Sequence, residues 1–133
     1  MIVTDMTDKK LNRAISELLG FHIEHLNGYY YLCLGKRIVE LTGYQYADED
    51  IWDNAPEYCT DLDDSMRVQA KAIEVDRVAY VNNLYETCYE FKRVKDSAWD
   101  EINIAFLLNA SPRQRAEAAY VTLVNQKEDN DDK

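Results

Sequence analysis

Apolar residues recur at three- and four-residue intervals through Leu11, Ala14, Ile15, Leu18 and Leu19, while Lys9, Lys10, Arg13 and Glu17 occupy the other side. That spacing predicts a helix opening near Thr7, and Gly20 suits the left-handed residue that closes it. Two six-residue runs come next, Phe21-His22-Ile23-Glu24-His25-Leu26 and Tyr29-Tyr30-Tyr31-Leu32-Cys33-Leu34, with Asn27-Gly28 between them. Asn and Gly both accept positive φ, so the pair predicts a β-hairpin with a two-residue turn. Gly35-Lys36-Arg37 offers a further turn, and Ile38-Val39-Glu40-Leu41 is β-branched enough to add a third strand. Residues 43–56 keep no period but carry Tyr44, Tyr46, Ile51 and Trp52. They read as an irregular loop pinned to the core by its aromatic rings, with a short helical turn around residues 50–54.

Pro56-Glu57-Tyr58-Cys59-Thr60-Asp61-Leu62 marks the passage from loop to helix, because proline restricts the backbone before it and Thr60 or Asp61 can cap the helix beyond. Leu62, Met66, Ala70 and Ile73 predict the inward face of a second helix, and Val78, Val81, Tyr85 and Cys88 that of a third. Ser97-Ala98-Trp99-Asp100 reads as a capping box with an aspartate, opening a short helix of Trp99, Ile102, Ala105 and Phe106. Ser111-Pro112-Arg113-Gln114 combines a capping serine, proline at the first helical position and glutamine three residues after the cap. It opens a final helix with Ala116, Ala119, Tyr120 and Leu123 inward. Residues 7–126 are expected to form one α+β domain: a small antiparallel sheet packed by an N-terminal helix and several C-terminal helices. Residues 127–133 read as an acidic, disordered tail.

Composition narrows the picture. A chain of 133 residues with 47% hydrophobic and 30% charged side chains is long enough for a single core and too apolar to be disordered. Apolar runs such as Ile104-Ala105-Phe106-Leu107-Leu108 fall far short of a membrane span, and the acidic start of the chain lacks the pattern of a secretion signal, so a cytoplasmic protein is expected. Cys33, Cys59 and Cys88 are odd in number and widely spaced, which suits reduced, buried thiols. A net charge of −10 disfavours nucleic acid and anionic lipid as partners and favours basic protein surfaces. The charge is uneven: nine acids between Val39 and Met66, among them Asp48, Glu49, Asp50 and Asp53, have no lysine or arginine between them.

Candidate chemistry is sparse. His22 and His25 stand three apart on a strand and project to opposite faces, so they cannot share one metal, and no close cysteine pair completes a zinc shell. Asp61-Leu62-Asp63-Asp64 begins like a calcium loop, but Met66 and Ala72 occupy the places of its glycine and closing glutamate. No nucleophile elbow or phosphate-cradling glycine loop is present, so no catalytic residues, cofactor or metal are assigned. Anion recognition would draw on Lys36-Arg37, on Lys92-Arg93 with Lys95, and above all on Arg113 and Arg115 at a helix N-terminus. Of ten tyrosines, six, Tyr29, Tyr30, Tyr31, Tyr44, Tyr46 and Tyr58, crowd the sheet and the loop after it, a composition suited to an interface or to stacking on a base.

In this order of elements the chain resembles the phage ABA sandwich family of small bacteriophage and prophage proteins. The resemblance rests on Leu11-Asn12-Arg13-Ala14-Ile15-Ser16-Glu17-Leu18-Leu19-Gly20, on Trp52 with Pro56 to Leu62, and on Ala110-Ser111-Pro112-Arg113-Gln114-Arg115-Ala116-Glu117-Ala118. It implies an αβα layered fold, a phage origin and an infected bacterial host, with no shared catalytic residues. Proteins similar in outline, the Thoeris anti-defence sponges, oligomerise and sequester cyclic ADP-ribose signals without cleaving them. The expected function is therefore a non-enzymatic, homo-oligomeric sponge for a nucleotide-type immune signal, with Arg113, Arg115, Arg37, Tyr44 and Tyr46 as ligand-binding residues. The alternative is an acidic inhibitor, an anti-CRISPR or nucleic-acid mimic, that presents Asp48, Glu49, Asp50 and Asp53 to a basic surface of a host defence protein.

Overall fold

The computed structural model describes residues 3–39, 51–88 and 101–131. A 3-10 turn at Val3–Asp5 leads into helix α1 (Asp8–Leu18), followed by strands β1 (Phe21–Leu26), β2 (Tyr29–Leu34) and β3 (Arg37–Ile38). Helices α2 (Leu62–Cys88), α3 (Glu101–Leu108) and α4 (Pro112–Asp131) complete the described chain. The strands form one antiparallel sheet in the order β1-β2-β3, so the fold is the expected α+β arrangement of hairpin, third strand, N-terminal helix and C-terminal helices.

Local chemistry explains the element ends. Thr7 accepts a bond from the Lys10 amide at 3.2 Å and caps α1. Gly20, at φ 102°, turns the chain out of it into β1. Asn27 and Gly28 have φ of 54° and 86°, the two positive values a type I′ turn requires, and they set the register that pairs His22 with Cys33. Ser111 and Gln114 cap α4 reciprocally: the Gln114 amide donates to Ser111 Oγ at 3.1 Å and the Ser111 amide to Gln114 Oε1 at 2.9 Å. Asp61, not Thr60, caps α2, accepting from the Asp63 amide at 2.9 Å.

Two expected boundaries are corrected. The third strand spans only Arg37–Ile38, although the Val39 amide still reaches Leu32 O at 2.8 Å; Glu40 and Leu41 lie outside the described residues. The expected disordered tail is helical through Asp131, since no glycine or proline interrupts the chain after Pro112. The capping box expected at Ser97–Asp100 lies outside the described residues.

Helix α2 is two helices joined at Asp76, whose φ of −160° and ψ of 91° are extended. The Asp76 carboxylate accepts from the Ala79 amide at 3.0 Å and so caps the second half. An unbroken helix would separate residues 69 and 80 by about 16 Å along its axis. Instead Tyr80 Oη donates to Gln69 Oε1 at 2.8 Å, so the halves bend toward each other. Asp76→Ala is expected to cost about 1 kcal/mol of stability in urea unfolding, because the second half loses its cap; an unchanged midpoint would mean the break is held by packing alone.

The main core joins Leu11 and Ile15 of α1, Tyr58 and Cys59, Val68, Ala72, Tyr80, Leu84 and Cys88 of α2, and Ala116, Ala118, Ala119 and Leu123 of α4. A second, smaller cluster places Leu32 of the sheet against Ile51, Trp52 and Ala55, with Phe21, Ile23 and Tyr30 beside it. The expected inward face is corrected for the first half of α2 and at Val78, whereas Tyr85 and Cys88 are buried and Val81 packs against the core as expected. Leu62, Met66 and Ile73 are exposed at 52%, 41% and 39%, and Val78 at 67%. Ser65, Val68 and Ala72 are buried in the first half, and Tyr80, Leu84, Tyr85 and Cys88 in the second. Small residues explain the rotation of the first half: Ala72 on α2 and Ala116 and Ala119 on α4 let the two axes approach closely, which a face of Leu and Met does not. Buried polar groups in this contact are paired, Asn83 Nδ2 donating to Thr122 Oγ1 at 2.9 Å and Thr122 Oγ1 to Ala118 O at 2.8 Å.

Candidate functional site

Arg113, expected to receive an anion, is an intramolecular clamp. Its Nε donates to Glu117 at 2.6 Å, Nη1 to Asp8 at 2.8 Å, and Nη2 to the carbonyls of Met6 at 2.7 Å and Val3 at 3.1 Å. The guanidinium thus ties the start of α4 to the first residues of the chain. Burial opposes its charge, but the bonds to Glu117 and Asp8 outweigh that and raise its pKa. Arg115 is committed in a similar way: Nε and Nη2 donate to the carbonyls of Ala110 and Leu108 at 3.2 Å each, and Nη1 to Gln69 Oε1 at 2.5 Å. It caps the C-terminal end of α3. The two arginines expected to form an anion site thus give these donors to groups of the chain itself. Arg37 is exposed on β3, and Tyr44 and Tyr46 lie outside the described residues.

Three cations that face solvent lie together on α1. Thr7, Lys9, Lys10, Arg13 and Trp52 line a hollow of about 310 Å³. Lys9 and Trp52 also border a second hollow of about 280 Å³ with Asp8, Asn12, Asp53, Ala55, Pro56, Glu57 and Thr60. The two meet along the side of α1 that faces the 51–60 segment. That segment is docked there by Cys59, whose amide donates to Asn12 Oδ1 at 3.0 Å, and by Ser16 Oγ, which donates to Tyr58 Oη at 3.4 Å. Within the hollow the Arg13 guanidinium lies 5.0 Å from the centre of the Trp52 ring, a cation–π contact, and reaches Glu17 at 3.4 Å. Lys9 pairs with Asp53 at 3.2 Å, while Lys10 has no ion pair among the described residues. Asp53 is therefore partly neutralised, and Asp48, Glu49 and Asp50 lie outside the described residues.

The thiols are buried and free. Burial pushes Cys59 up to about 11, against the lowering effect of nearby Arg113, and raises Cys88 as well. Cys33 is raised by burial and by Glu24, to which its thiol donates at 3.4 Å. These groups are poor nucleophiles at neutral pH. His25 stacks on Tyr30, ring centroids 4.6 Å apart, on the face opposite His22, as strand alternation requires. Spacing within β1 alone misses Cys33: once the Asn27-Gly28 turn is read, residue 33 must lie across from residue 22.

No family model, curated protein or solved structure matches the chain.

Proposed function

We propose that this protein is a non-enzymatic binding protein that captures an anionic, nucleotide-type small molecule in the hollow between α1 and Trp52. The single observation behind this reading is the lining of that hollow: three cations, Lys9, Lys10 and Arg13, share it with Trp52, a largely buried indole over which the Arg13 guanidinium sits. Phosphate seeks cations and a base seeks an aromatic or guanidinium plane, so such a ligand uses both features at once. The setting we propose is that of a cytoplasmic phage accessory protein that lowers the free concentration of a cyclic ADP-ribose-like defence signal; this draws on the family resemblance. Self-association would use the solvent-facing apolar stripe of Leu62, Met66 and Ile73.

The test is calorimetric titration of the purified chain with cyclic ADP-ribose. Binding is expected, with affinity falling about tenfold in Lys10→Glu and in Arg13→Glu, because each removes one charge-assisted contact. Unchanged affinity in both variants removes the α1 hollow from consideration. The second reading, an acidic inhibitor, is favoured by the exposed Glu57, Asp61 and Asp63 beside exposed Leu62 at the start of α2. It predicts a complex with a basic effector that added salt dissociates.

A further inference from the structure

The hairpin carries Phe21, Ile23, Leu32 and Leu34 on one face and His22, Glu24 and Cys33 on the other, because alternation puts 22 and 24 together and the register sets Cys33 opposite His22. One ligand atom from each of the three lies within 4.8 Å of the others. His22 Nε2 is 3.5 Å from Glu24 Oε1, and Cys33 Sγ is 3.4 Å from Glu24 Oε2. Tetrahedral zinc bound by imidazole, carboxylate and thiolate has ligand-to-ligand edges of about 3.3–3.6 Å, calculated from its ordinary bond lengths. Both edges to Glu24 fall in that range, through different carboxylate oxygens, and the His22–Cys33 edge is within 4.8 Å, so small side-chain rotations bring the three to a zinc shell.

A second observation concerns the histidine tautomer. His22 Nδ1 lies 3.3 Å from the carbonyl oxygen of Gly20, which can accept from it, and in the neutral tautomer that donates there Nε2 is the nitrogen left to bind a metal. A backbone carbonyl behind the distal nitrogen is the usual outer support of a metal-bound histidine. Gly20 is fixed in turn by the helix end that requires its positive φ. Glu24 has no lysine or arginine partner among the described residues, and the side chains of His22 and Glu24 are 44% and 50% exposed, which leaves an approach from solvent.

We propose that this face of the hairpin is a transition-metal site, with His22 Nε2, a Glu24 carboxylate oxygen and Cys33 Sγ as three ligands of a tetrahedral zinc ion and water as the fourth. On binding, the Cys33 S–H bond breaks, its proton leaves to solvent and the sulfur lone pair forms the zinc–sulfur bond, with no change of oxidation state. A thiolate beside an imidazole selects zinc over magnesium or calcium, which take oxygen ligands. The site is independent of the α1 hollow, and neither reading depends on the other.

The test uses the full chain, reduced and stripped with a chelator, and titrates it with cobalt(II) and then zinc. One equivalent of cobalt is expected to give the visible bands of a tetrahedral ion and a near-ultraviolet thiolate-to-cobalt band, both abolished by zinc. Cys33→Ser is expected to lose the thiolate band, and His22→Gln, at a half-exposed position where folding is not at stake, to weaken zinc binding by about 100-fold. Absence of the thiolate band in the wild-type chain, its survival in Cys33→Ser through another cysteine, or unchanged zinc affinity in His22→Gln would each overturn the proposal.

Discussion

Replacing Arg113 with alanine is expected to cost about 3–5 kcal/mol of folding stability, enough to leave a domain of this size barely folded. The magnitude comes from the groups left behind. Glu117, with its side chain 10% exposed, loses its 2.6 Å partner and becomes a buried, uncompensated carboxylate. The Met6 and Val3 carbonyls lose their donor as well, and the first residues of the chain lose their tie to α4. Arg113→Lys keeps the charge but not the fork that reaches four acceptors at once, so it should recover only a minor part of the loss. In a double-mutant cycle, Glu117→Ala added to Arg113→Ala should be far less harmful than the sum of the two, with coupling of about 2 kcal/mol. Urea unfolding measures the wild type and all four variants. An Arg113→Ala chain of unchanged stability would return the residue to the surface anion role that its position at a helix N-terminus suggests.

Tyr80→Ala is the second large effect, about 3–5 kcal/mol, because the ring is 1% exposed and sits where both halves of α2 meet α4. The hydroxyl matters less than the ring. Gln69 Oε1 receives both Tyr80 Oη and Arg115 Nη1, so in Tyr80→Phe the acceptor keeps one donor, and a loss of about 1 kcal/mol is expected. Burial also raises the Tyr80 phenol far above its ordinary range, so no tyrosinate forms there in the folded chain at neutral pH. If Tyr80→Phe proves as costly as Tyr80→Ala, the hydroxyl rather than the ring holds the bend at Asp76.

The legible part of the sequence was local. Thr7, Asn27-Gly28 and the Ser111–Gln114 box act within four residues of themselves, and the structure has each as its chemistry dictates. The two helices expected between Leu62 and Cys88 are there, split at Asp76, a capping residue that the apolar spacing on either side already separates. The buried face of the first half of α2 was not legible, because Leu62 and Met66 carry the stronger hydrophobic signal and the choice of Val68 and Ala72 depends on the alanines of a helix more than forty residues away. Arg113 escapes a local reading for the same reason. Its partners Met6 and Val3 stand 107 and 110 residues off, and no local pattern announces them. The His22, Glu24 and Cys33 cluster lies between these cases: hairpin register is set by the turn, and that register places the cysteine opposite the histidine.

Retention of a ligand without chemical change is the central property proposed for this chain. Native mass spectrometry of the purified protein after incubation with cyclic ADP-ribose, with analysis of the small molecule freed by heating, tests it most directly. A multimer of the 15.5 kDa chain carrying the nucleotide, and its release intact, is the expected outcome. A bare chain, or a nucleotide returned cleaved, would refute it.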